Sequence, residues 1–82
     1  MKHAGQKALD TLESLLIQIR RYEGLKEKKR GIFYRKSSAF LHFHEDSAGL
    51  FADLRVRDGW KRLPVTTKAD CKVLLAELNK IL

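Results

Sequence analysis

An α+β fold follows from three features of this 82-residue chain. Apolar residues recur at helical spacing near both ends. Between them, residues 31–65 alternate between apolar and polar at the strand period. Three clusters of turn-forming residues cut that stretch into four strands. The expected architecture is a two-layer sandwich in the order helix, four-stranded antiparallel meander, helix, with both helices on one face of the sheet.

The first helix is expected over residues 4–23. Leu9, Leu12, Leu16 and Ile19 form its stripe, with Leu15 and Tyr22 on the flank and Ile17 outside it. Arg20 and Arg21 fall in the last turn, opposite the negative end of the helix dipole. Gly24 fits the position just past the helix end, and Leu25 the hydrophobic contact that follows. Residues 24–30 read as a basic linker, Lys26-Glu27-Lys28-Lys29-Arg30, either a solvated loop or an arm for phosphate groups. The last helix is expected over residues 67–81. Thr67 and Asp70 open it as a variant capping box. Cys71, Leu74, Leu75, Leu78, Ile81 and Leu82 supply its stripe.

Lys36-Ser37-Ser38, Asp46-Ser47-Ala48-Gly49 and Asp58-Gly59 mark the turns between strands. Asp58-Gly59 suits a two-residue type I′ hairpin. That turn pairs Arg57 with Trp60, Leu54 with Leu63, and Ala52 with Val65. In the middle hairpin, His44 opposes Phe51, His42 opposes Asp53, and Leu41 opposes Leu54. A one-residue slip would reverse every face, so matched apolar pairs support the register. Pro64 lacks an N–H and places the fourth strand at an edge.

Alternation then defines two faces. Ile32, Tyr34, Leu41, Phe43, Leu50, Ala52, Leu54, Leu63 and Val65 form an ordinary core. Phe33, Arg35, Phe40, His42, His44, Phe51, Asp53, Arg55, Arg57, Trp60 and Arg62 fall on the other side. The second set is too aromatic for a bare solvated surface and too charged for a core. It is the expected binding face.

Composition sets the limits. At 44% hydrophobic the chain has apolar content for one core, so residues 1–82 make one domain. No apolar run approaches the length of a membrane span. Asp10 and Glu13 interrupt the apolar part of the N-terminus, against a secretory signal. The lone Cys71 forms no internal disulfide and fits a reducing cytoplasm. Seventeen Lys and Arg against ten Asp and Glu leave a net charge of +7, which attracts polyanions.

Three chemistries fit the second face. Arginine and aromatic residues are the types that protein interfaces enrich, and a sheet face can pair with its own copy. Rings for base stacking beside arginines for phosphates suit single-stranded nucleic acid. His42, His44 and Asp53 could serve a metal or a hydrolytic relay. His3 lies far away in sequence, so the ligand count falls short of a closed site. No nucleophile accompanies the relay, and Cys71 sits on a core stripe. His42 and Asp53 therefore read as a structural cross-strand pair in which the carboxylate raises the imidazole pKa. No metal, cofactor or catalytic residue is assigned.

The blocks Phe40–Asp46, Gly49–Arg55 and Trp60–Val65 resemble those of small uncharacterised bacterial proteins of about this length. The resemblance extends to both helices. It implies a compact cytoplasmic bacterial domain and no activity, cofactor or catalytic residue. No RNA-recognition signature is present. The reading is a non-catalytic binding module that contacts a protein partner or a second copy of itself. Nucleic acid and metal-dependent or hydrolytic chemistry are the alternatives.

Overall fold

The computed structural model describes residues 2–82. Its elements, in chain order, are β1 (Lys2–His3), α1 (Gln6–Thr11), α2 (Glu13–Ile19), β2 (Lys26–Lys29), β3 (Ile32–Arg35), β4 (Ser38–Asp46), β5 (Gly49–Val56), β6 (Gly59–Pro64) and α3 (Lys68–Ile81). The class is α+β, as the two periodicities require. N-terminal helices precede a five-stranded antiparallel meander, β2-β3-β4-β5-β6, and a helix follows it. A sixth short strand, β1, pairs with β4.

The N-terminal helix is shorter than its apolar periodicity. It breaks at Leu12, whose φ of −89° and ψ of 2° leave helical geometry. The hydrogen bonds Leu12 N to Ala8 O and Leu16 N to Leu12 O still run across the break. The helix ends at Ile19, not residue 23. Arg21 N and Tyr22 N donate to carbonyls three residues back, the tighter pattern of a helix end. Gly24 lies beyond this turn and is not the cap. Arg20 caps the end, and its side chain bonds Glu13 and Glu27.

The basic segment after it is an edge strand, not a solvated loop. Residues 26–29 form β2, paired with β3 at Lys26–Tyr34, Glu27–Phe33 and Lys29–Ile32. Glu27 explains the ordering. Its carboxylate accepts from Arg20 and from the Gly31 backbone N–H. Next to it, Arg30 bonds Asp10 and Glu13 on the helices. Four basic residues, Lys26, Lys28, Lys29 and Arg30, flank the one acidic residue that fastens the strand.

The middle hairpin has the expected register: Leu41–Leu54, His42–Asp53 and His44–Phe51. The last hairpin does not. Arg55 pairs with Trp60, Leu54 with Lys61, and Ala52 with Leu63. The turn residues are Arg57 and Asp58, neither with positive φ, so this is not a type I′ turn. Gly59 carries the left-handed backbone instead, at φ +138°, as Gly49 does at +136° after the preceding turn. The two-residue displacement keeps the faces intact, because strand alternation also repeats every two residues. The type I′ conformation occurs two hairpins earlier. Lys36 and Ser37, with φ of 51° and 70°, connect β3 to β4. Pro64 ends β6, which is an edge strand as expected.

A bulge overturns the expected parity of β3. Phe33 pairs with Leu41, yet Tyr34 pairs with Ala39, so Phe40 is the extra residue on β4. Phe33 and Phe40 are both buried and join the core. Arg35 shares Phe33's side, and its guanidinium lies 5.7 Å over the Phe40 ring. Ile32 and Tyr34 alternate to the second face, where Lys28 Nζ stands 4.6 Å over the Tyr34 ring. Phe33, Arg35 and Phe40 thus leave the expected binding face.

One buried cluster joins Leu12 and the α2 residues Leu15, Leu16 and Ile19 to Leu41, Phe43, Ala52 and Leu54 of the sheet and to Leu74 and Leu78 of α3. Ile17 is exposed, as its place off the stripe requires. The expected capping box opens α3: Asp70 N donates to Thr67 Oγ1, and Thr67 N donates to Asp70 Oδ2. Leu82 lies past the helix and is exposed. No helix among the described residues is long and apolar enough to cross a membrane.

Candidate functional site

The central strands place His42, His44, Phe51 and Asp53 on the second face, because these positions alternate with the buried Leu41, Phe43, Ala52 and Leu54. β6 adds Trp60 opposite Arg55 and Arg62 opposite Asp53. β3 reaches along β4 only to His42. Beyond that point β1 takes over, with Lys2 opposite Glu45 and His3 opposite His44. Two backbone N–H donors hold this N-terminal segment. Ala4 N donates to Phe43 O at 3.0 Å, and Gly5 N to Glu45 Oε2 at 2.5 Å.

The result is a cluster of three imidazoles. The His3 ring stacks on His44 at 4.7 Å between centroids, and the His42 ring stands edge-on to His44 at 4.9 Å. One ring nitrogen from each of His3, His42 and His44 falls within 4.8 Å of the others. His42 Nδ1 is 2.9 Å from His44 Nε2, and that same nitrogen is 3.0 Å from Asp53 Oδ2. Two groups thus compete for one His44 nitrogen, while His44 Nδ1 is buried with no hydrogen-bond partner among the described residues.

Asp53 is buried and doubly held by Arg62, with Nε to Oδ1 at 2.7 Å and Nη2 to Oδ2 at 2.8 Å. The hydrogen bond from Arg62 outweighs burial and lowers the Asp53 pKa. His42 behaves oppositely to its expected pairing. It faces Asp53 in register, but its ring meets His44 and Trp60, the latter at 4.8 Å. Burial, followed by the neighbouring His44, depresses its pKa, and the attraction of Asp53 is too small to reverse that. The expected elevation is therefore incorrect. The carboxylate is committed to Arg62 and His44.

The remaining expected residues form the rim. Phe51 is half-buried. Trp60 is 43% exposed, with the Arg55 guanidinium 5.4 Å over its ring. Arg57 lies in the β5–β6 turn, away from the strand register. His3 lies far away in sequence, and a two-residue strand gives no periodic signal by which to find it. Ile32 and Tyr34 join this face because one bulge inverts β3.

The arrangement can hold a cation among imidazole nitrogens, or present an aromatic and cationic patch to a partner. It does not offer Asp53 as a free general base. A cleft of about 380 Å³ lies elsewhere, lined by Thr11, Leu15, Gln18, Thr67, Cys71 and Leu75. Burial raises the Cys71 thiol pKa, so it is not an activated nucleophile. No family model matches the chain, and neither a curated protein nor a solved structure matches it.

Proposed function

We propose that this chain is a non-catalytic binding module, and that its second sheet face docks a protein partner, a second copy of the chain first. In this reading both helices cover the Leu41–Leu54 face and leave the His42–Trp60 face open. The observation that carries it is Trp60: a large ring 43% exposed, between Arg55 at 5.4 Å and His42 at 4.8 Å. Trp and Arg are the residues most often responsible for binding energy at protein interfaces. Nucleic acid is the weaker fit, since Phe33 and Phe40 are core residues and leave fewer stacking rings. Hydrolysis is weaker still, since Arg62 takes both Asp53 oxygens.

Light scattering after size exclusion tests the reading. The wild type should form dimers at high micromolar concentration, and Trp60→Ala with Phe51→Ala should yield folded monomers. A wild type that stays monomeric, or one that shifts only on adding a short oligonucleotide in low salt, overturns it.

A further inference from the structure

We propose that His3, His42 and His44 form a three-imidazole binding site for a borderline divalent transition metal of the zinc class. The proposal stands apart from the docking reading, since a monomer would bind the ion equally well.

Three imidazole nitrogens, with water in the remaining position, are a donor set that zinc, cobalt(II) and nickel(II) accept. The spacing fits. Zinc–nitrogen bonds of about 2.0–2.1 Å put tetrahedral neighbours about 3.3 Å apart. His42 Nδ1 and His44 Nε2 are already 2.9 Å apart. His3 must close from within 4.8 Å. It is exposed on a two-residue strand, so a side-chain rotation suffices.

The second observation is the unresolved hydrogen bonding. A neutral His44 has one proton for two nitrogens. If it sits on Nε2 it serves Asp53, and His42 Nδ1 faces the same hydrogen. Nδ1 of His44 is then a bare buried acceptor. A cation at the convergence replaces that shared proton and satisfies three lone pairs at once. Burial already favours neutral His42, the form that ligates. Metal binding moves the His44 proton to Nδ1, where no partner awaits. That cost holds the affinity near micromolar, well short of a closed structural zinc site.

The test is zinc titration of the purified metal-free chain, competed against a chromogenic chelator. Cobalt(II) provides a spectroscopic check. We expect one equivalent of zinc per chain with a Kd of the order of micromolar, and cobalt bands of tetrahedral intensity. His3→Gln should weaken binding at least tenfold, and its fold should be unaffected because His3 is exposed. His42→Gln and His44→Gln should weaken it further, in samples shown to be folded by NMR. Arg55→Ala should bind as wild type. Substoichiometric zinc, octahedral cobalt spectra, or a His3→Gln titration identical to wild type would overturn the site.

Discussion

Arg62 and Asp53 face each other across β6 and β5, and the guanidinium meets both carboxylate oxygens at 2.7 and 2.8 Å. The pair buries a charge beneath the histidine cluster and neutralises it locally. Left alone there, the carboxylate would pay a desolvation cost. Arg62 itself is exposed, so its cationic end remains part of the rim.

Acid stability should decline in two steps. His42 has a lowered pKa when folded. Its unfolded form therefore takes up protons first, and stability falls as pH drops below about 6.5 towards the folded value. Asp53 is also lowered. Its contribution is present above about 3.9 and is lost as pH falls through the folded value. Urea midpoints across pH should show both steps. His42→Gln should remove the first and Arg62→Gln should diminish the second. A midpoint that rises on acidification from pH 7 to 5 would reverse the assigned sign.

Leu54 pairs with Leu41 at the centre of the sheet, and neither side chain is accessible. Leu54→Ala should cost about 2–5 kcal/mol in chemical denaturation, the usual range for a leucine removed from a packed core. Trp60→Ala, on the other face, should cost much less. Equal losses at the two sites would mean that Trp60 is structural.

The Lys36-Ser37 turn carries positive φ on two residues with side chains. Left-handed backbone costs an ordinary residue about 1–2 kcal/mol, and Asn-Gly suits this turn far better. Replacing Lys36 and Ser37 by Asn and Gly should raise stability by about 1 kcal/mol without altering the sheet. An unchanged or lower denaturation midpoint would show that these angles are not held in solution.

The fold class, the capped last helix and the central hairpin were determined by sequence alone. Each depends on local chemistry repeated over several residues: helical spacing ending in Leu74 and Leu78, the Thr67–Asp70 capping box, and alternation that sets Leu41 against Leu54. Tertiary structure decided what single residues control. The bulge at Phe40 turned Phe33 and Arg35 away from the binding face, because one inserted residue reverses strand parity. Glu27 made a strand of a basic segment by bonding Arg20 at the end of the helix. His3 reached the histidine cluster only because β3 stops at His42 and leaves the adjoining edge of β4 for residues forty positions away. Such meetings depend on where distant backbone segments end, which no local period records.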